Sequence, residues 1–439
     1  MSASRQACKQ QTLFGHPPGL TVLFLTQMWE QVSWYGMRSL LVYYLTQELR
    51  LQQSRASVIY GCYAASVFLT PLLGGLACDR FLGRKRSVLL GGLIMAAGHL
   101  LLALEAPLFA ALGLIALGTG LFVPSLPSQV AALYRPDDPR RLAAYNVYYI
   151  GVNLGAFLAP LVCGTLGERL GWQWGFGAAG VGMLIGLAIY IAGARYLPAE
   201  PQSSATIDRS SVSQDHMRQR VTTLVQIALL VALFRAAYEQ VGNTVALWAD
   251  VGVDRHIGSL FVIPRTWFQS LNPLIVFSGG PRLALLWTRQ ARTGRSTSSS
   301  RKMATGACLV GCAYALLAVP AWTAQAHSSL AGWQWLVAFF VLFTLGELFI
   351  LPVGLSLFGR LAPPHMAATT IACWFLTGFI GNLLAGAAGT LWSILAHGTF
   401  FLCIAALAFA AGALLLSLDQ QTRRAESGAD SRMHSMDLR

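Results

Sequence analysis

The sequence predicts an all-α polytopic membrane protein of twelve transmembrane helices, arranged as two halves of six. Three observations carry this. Of the 439 residues, 55% are hydrophobic and 11% charged, whereas a soluble domain carries about 25% charged residues. Apolar windows of about 19 residues, long enough to cross a bilayer core, recur twelve times along the chain. A polar stretch over 198–220, rich in Ser, Thr and Gln, separates the sixth window from the seventh.

In order, the predicted spans are 19–47, 56–77, 87–105, 107–134, 142–167 and 173–197 for the first half. The second half reads 221–249, 263–288, 303–325, 331–360, 366–393 and 396–417. The chain thus divides into an N-terminal six-helix bundle (1–197), a linker (198–220), a C-terminal six-helix bundle (221–417) and a tail (418–439). In such two-halved bundles the solute sits where the halves meet, near the midplane. Gly118, Gly120, Pro124 and Pro127 are expected to interrupt helix 4, and Pro273, Gly279, Gly280 and Pro281 helix 8. Breaks of this kind are tolerated where freed backbone groups meet other helices or a water-filled cavity. The first 17 residues contain no apolar core with a small-residue cleavage site, so the first helix is expected to direct insertion itself.

The net charge of +13 is topology information rather than a nucleic-acid footprint. Arg80, Arg84, Lys85 and Arg86 cluster in one loop, Arg135, Arg140 and Arg141 in another, and Arg289, Arg292, Arg295, Arg301 and Lys302 in a third. With twelve spans these loops, the linker and both termini share one side, and the opposite loops are short and carry few cations, Arg255 and Arg265 among them. The excess of Lys and Arg places that side, and both termini, in the cytoplasm. The eight cysteines show no metal-ligand spacing; Cys308 and Cys312 lie one turn apart in an apolar run and read as free thiols. A phosphate loop ending in Lys-Ser/Thr and a nucleophile elbow are both absent from the sequence, so an enzyme is not expected, nor is any cofactor or metal.

Helix 1 is the exception to the apolar rule. Gln27, Glu30, Gln31, Trp34, Tyr35 and Arg38 fall at i, i+3, i+4, i+7, i+8 and i+11, one face of a helix. A carboxylate and a guanidinium facing lipid would each cost several kcal/mol. The stripe, about 16 Å long, is therefore expected to line a wet cavity.

Between helices 2 and 3 the chain reads Gly75-Leu-Ala-Cys-Asp79-Arg80-Phe-Leu-Gly83-Arg84-Lys85, which is similar to the signature loop of the major facilitator superfamily. Further matches are narrower. They comprise Glu30 with Trp34-Tyr35-Gly36-Met37-Arg38, Tyr148-Tyr149-Ile-Gly-Val-Asn153 running to Pro160, and Phe234-Arg-Ala-Ala-Tyr-Glu239-Gln240. Trp267 to Asn272-Pro273, Gly346-Glu347 to Pro352, and Trp374-Phe375 with Gly381-Asn382 follow in order. Together they resemble the proton-dependent oligopeptide transporters, across both halves.

That resemblance implies a major facilitator fold and proton-driven uptake of di- and tripeptides in a bacterial cytoplasmic membrane, with the proton as coupling ion. It also implies roles. Glu347 would meet the peptide amino group and Arg38 the peptide carboxylate; Glu239 would pair with that arginine and, with Glu30, take part in proton coupling. Asn153 and Asn272 would hold the peptide backbone, while Tyr35, Trp34 and Trp374 would shape the side-chain pockets. The implied partners are a small peptide and membrane lipid, with no nucleic acid and no obligate protein partner.

The departures concentrate in this set. Gln27 and Gln31 stand where the family has Glu and Arg, Trp34 and Phe68 where it has tyrosines, and Val123 where it has Lys. Arg235 stands where it has an aromatic, four residues before Glu239. It is therefore expected to pair with Glu239, to compete with Arg38 for it, and to occupy part of the peptide pocket. Glu347 is expected to lack its usual lysine partner, and Arg282 has no obvious partner in the sequence. The linker leaves no room for an extra helical hairpin, so twelve helices are expected rather than fourteen. A same-fold carrier of another solute, an uncoupled facilitator and a non-transporting peptide receptor are the alternatives.

Overall fold

The computed structural model describes residues 15–104, 107–135, 138, 140–198, 214–293, 297–362 and 367–426. Most of the predicted linker, Arg295 and the tail beyond 426 lie outside them. The first six long helices are α1 (Pro18–Tyr43), α2 (Gln53–Ala77), α3 (Arg84–Ala103), α4 (Leu108–Phe122, resumed as Ser125–Ala132), α5 (Arg140–Ala159, carried on to Leu170) and α6 (Trp172–Ala192). The next six are α7 (Gln214–Tyr238, resumed as Thr244–Val251), α8 (Leu271–Arg292), α9 (Ser299–Ala326), α10 (Gln334–Leu361), α11 (Ala367–Gly389) and α12 (His397–Ser417). Ten of them are long and apolar enough to cross a membrane. The other two, α1 and α8, are the helices with the polar stripe and with Arg282, Arg289 and Arg292.

Breaks fall where the backbone cannot continue. In α4 the helix stops at Val123–Pro124 and restarts at Ser125, since a proline ring collides with the preceding turn. In α7 a 3₁₀ turn over Glu239–Gly242 separates the two segments. After α2 a π turn, Cys78–Leu82, ends on Gly83 at φ +73°, a left-handed conformation that glycine adopts without strain. The expected interruption of α8 is corrected. Residues Arg265–Ser270 form a 3₁₀ turn, and α8 then runs unbroken from Leu271. Pro273 sits in its first turn, where the missing N–H has no partner to lose. Pro281 is carried inside the helix beside Gly279 and Gly280.

The chain folds as two compact units, 1–41 with 69–203, and 42–68 with 204–439. In the first, Leu23, Val88, Met95, Phe122 and Met183 build a fully buried core. Small residues let backbones touch, as in other membrane helix pairs. A Cβ on Gly118 would lie 2.6 Å from the Gly91 carbonyl oxygen, which fixes α3 on α4. Gly151 and Gly155, one turn apart, do the same for α5 on α1: added Cβ atoms would lie 2.9 Å from the Phe24 carbonyl oxygen and 2.2 Å from that of Met28.

In the second unit, Gly306 of α9 and Gly346 of α10 are mutually exclusive with larger residues, at 2.5 and 2.6 Å from each other's carbonyl oxygens. Tyr43 at the end of α1 donates to the Ala246 carbonyl at 2.7 Å and lies under the Arg265 guanidinium, 4.3 Å from its ring centre. Asp250 takes Arg265 at 2.7 Å and the Gln47 amide at 2.6 Å. A short parallel pairing of Val253–Asp254 with Ala331–Gly332 closes the same end. At the opposite end of the helices, residues 419–426 form a further helical segment after α12. Asp419 accepts from the Ser298 hydroxyl and pairs with Arg301 at 3.0 Å and Arg423 at 3.1 Å. Glu426 binds Arg360 at 2.6 Å and the Ser299 hydroxyl at 2.5 Å. This clasp ties the tail to the start of α9 and the end of α10.

Candidate functional site

In the first unit, Glu30 is 1% exposed. The two glutamines that replace the family's charged pair both turn to it: Gln27 Nε2 donates to Glu30 Oε2 at 2.7 Å and Gln31 Nε2 at 2.6 Å. Tyr148 extends the chain by donating its hydroxyl to Gln27 Oε1 at 2.5 Å, and it can do so because Gly151 and Gly155 let α5 approach α1. Neutral donors thus stand where the family has a charge pair, and among the described residues no cation pairs with Glu30.

One to two turns on, Trp34 and Tyr35 meet edge to face, 4.6 Å between centroids at 88°. The Arg38 guanidinium carbon lies 5.1 Å from the Trp34 ring centre and 6.0 Å from that of Tyr35. These two rings orient the cation. The Trp34 indole N–H is buried without a hydrogen-bond partner among the described residues. Asn153 is buried and donates to the Tyr149 carbonyl of its own helix at 2.9 Å, which leaves its amide oxygen as the open acceptor.

In the second unit, Arg235 and Glu239 pair at 3.3 Å, as their spacing predicts, and are 6% and 2% exposed. Arg235 also lies 5.2 Å from the Phe68 ring centre and 5.9 Å from that of Trp374, while its Nε has no acceptor among the described residues. Glycines make the space. A Cβ on Gly381 would be 2.3 Å from Arg235 Cβ, one on Gly354 2.3 Å from the Trp374 ring, and one on Gly378 2.5 Å from Phe68. Trp374 and Phe358 then meet edge to face at 5.2 Å.

Glu347 follows Gly346, so the crossing of α9 and α10 sets its height. Asn272 Nδ2 donates to Glu347 Oε2 at 2.5 Å and to Thr344 Oγ1 at 3.1 Å. The Tyr238 hydroxyl also hydrogen-bonds the Glu347 carboxyl, its ring stacked on Phe343 at 5.1 Å. The expected vacancy beside Glu347 is thus filled by an amide and a phenol. Arg282 is exposed and donates to the Ser278 carbonyl of its own helix at 3.1 Å. Tyr148 and Tyr238 are the contacts that spacing did not assign, although each lies in a matched motif; Phe68, known from the sequence only as a departure from tyrosine, adds a ring beside Arg235. Chemically, the first unit presents an oriented guanidinium and an amide-held carboxyl. The second presents a carboxyl with neutral donors, an internal ion pair and two aromatic faces.

Comparison with known proteins adds the family. The profile described as the POT family matches residues 85–213 and 199–401. The uncharacterized transporter YclF of Bacillus subtilis is 32% identical over 95% of this chain and 97% of its own length. The peptide transporter YePEPT of Yersinia enterocolitica is 32% identical over 89% of this chain and 90% of its own. A crystal structure of a peptide transporter POT in complex with sulfate matches at a TM-score of 0.85 and 31% identity, over 95% of this chain and 97% of that one. A mutant form of a peptide transporter POT, in complex with alafosfalin, matches at 0.84 and 31% over the same shares.

Proposed function

Because this chain belongs to the POT family, an integral membrane transporter and not an enzyme, we propose that it imports di- and tripeptides with protons by alternating access. The observation that carries the reading is Glu347, a carboxyl anchored by Asn272 and Tyr238 that makes no ion pair among the described residues, the Arg235 guanidinium acting on it only at longer range while paired with Glu239. An anchored carboxylate of this kind is a receptor for a ligand ammonium. Arg38, held on its two rings, is the matching receptor for a ligand carboxylate, which a planar fork binds in two places. Asn153 and Asn272 offer amide groups to the peptide backbone. Tyr35, Trp34 and Trp374, with Arg235, shape the space for side chains. Two relatives are described as peptide transporters, and one structure in this family holds alafosfalin.

Proton coupling is assigned to Glu30 and Glu239. Protonation of Glu239 removes the charge that holds Arg235, so the pair opens and closes with the proton. The membrane is the bacterial cytoplasmic membrane, both termini inside. Gradient-independent facilitation is the second reading, favoured by the neutral amides around Glu30. Purified protein in vesicles with an imposed inward proton gradient decides. Uptake of alanyl-alanine that collapses when the gradient is dissipated supports symport; uptake that persists supports facilitation. Glu347→Gln should erase the preference for a free amino terminus over an acetylated one. Unchanged preference would overturn the amino-group assignment.

A further inference from the structure

On the outer face of the second unit, α8, α9, α10 and α12 enclose a groove of about 730 Å³, within the ~300–1,000 Å³ of small-molecule sites. None of the residues assigned to transport lines it. Its two ends differ in chemistry. The mouth is polar and basic, formed by Gln290, Thr297, Arg301 and Lys302. The shaft is apolar, formed by Leu286, Phe349, Phe409, Ala413 and Leu416 around the small residue Gly412. Trp287 stands where the two meet, 5.3 Å edge-on from Phe349 and 4.6 Å beneath the Lys302 ammonium.

The charges at the mouth do not cancel. Arg301 shares Asp419 with Arg423, while Lys302 rests on the indole and makes no ion pair among the described residues; the Glu426 carboxylate acts on it only at longer range and is itself held by Arg360. A Trp–Lys pair at the junction of a basic mouth and a greasy shaft matches the boundary between headgroup and acyl chain. Several lining residues, Thr305, Cys308 and Leu416 among them, are exposed on helices long and apolar enough to cross the bilayer, so lipid has access to the groove from the side.

We propose that this groove binds one anionic phospholipid. Lys302 and the outward N–H groups of Arg301 hold the phosphate, Gln290 and Thr297 hydrogen-bond the headgroup, and one acyl chain lies along Phe349 and Phe409. The occupant is an intact lipid rather than a free anion, because most of the groove is apolar wall. With the termini in the cytoplasm, the mouth opens to the leaflet whose surface is negative. Only this last point rests on the proposed orientation.

Native mass spectrometry of the full chain in detergent tests the assignment, with phosphatidylglycerol and phosphatidylcholine of identical chains added in turn. Phosphatidylglycerol is expected to be retained as a single adduct and phosphatidylcholine to be lost. Lys302→Gln should weaken retention about fivefold, the usual worth of one cation at an anionic surface. Thr305→Trp, which fills the shaft and leaves both charges, should abolish it. Equal retention of the two lipids, insensitivity to either variant, displacement by glycerophosphoglycerol without acyl chains, or a doubled chain mass in place of the adduct would each overturn the proposal. Binding in detergent is independent of transport and of orientation, so its failure is separable from theirs.

Discussion

Arg38 is held by stacking on Trp34 and Tyr35, and stacking needs a flat, delocalised cation. Arg38→Lys keeps the charge and loses the fork. Dipeptide KM is expected to rise about tenfold, equivalent to ~1.4 kcal/mol, with kcat little changed; an unaltered KM would remove Arg38 from the carboxylate site. Arg235→Met leaves the Glu239 carboxylate buried without that guanidinium, a loss of about 3–5 kcal/mol. Adding Glu239→Gln should restore most of the thermal stability, read as the unfolding midpoint in detergent. For Glu30, conversion to Gln keeps the amide network and deletes the proton site, so counterflow exchange should survive while gradient-driven uptake falls. At this scale the sequence named Glu30, Arg38, Arg235, Glu239 and Glu347 because charged groups stand out among apolar ones. It did not reveal that Gln27 and Gln31 both serve Glu30, since an amide's partner depends on rotamer and on the helix crossing that delivers Tyr148.

Helices meet here through glycine, and the consequence is testable at one crossing. A side chain at Gly155 would collide with the Met28 carbonyl at 2.2 Å, so Gly155→Leu must part α1 from α5. A destabilisation of about 1–3 kcal/mol is expected, with Tyr148 withdrawn from Gln27. Gly113, with open space around it, provides the control: Gly113→Leu should leave the unfolding midpoint unchanged. The existence of the twelve long helices was legible from apolar windows, and the α4 break from Pro124, whereas the helical segment at 419–426 was not. The course of α8 was not. Pro273 and Pro281 are equally visible in the sequence, but a proline in a first turn costs nothing and one beside two glycines is absorbed. Position in the helix decides, and the sequence does not mark where α8 begins.

For the whole molecule, an even number of spans puts both ends of the chain on one side. A fluorescent protein that matures only in the cytoplasm, fused after Arg439, should glow in intact bacteria; a dark fusion would reverse the proposed topology. Composition alone made the bilayer legible. It could not show that residues 42–68 pack with the second unit, because Tyr43 finds Ala246 through a contact 203 residues away in sequence. The clasp at the tail has its own pH signature. Burial raises the Asp419 carboxyl, but Ser298, Arg423 and Arg301 together hold it below the usual carboxylate range. Its contribution is therefore complete above the unfolded value of about 3.9 and is lost only as pH falls through the lower folded one. Mechanically, the clasp is the first joint to carry load when the molecule is drawn from its C-terminal end. Force reaches Glu426–Arg360 and Asp419–Arg301 before it reaches α12. Single-molecule pulling should record a small leading rupture, weakened by added salt, ahead of the larger peak of helix extraction.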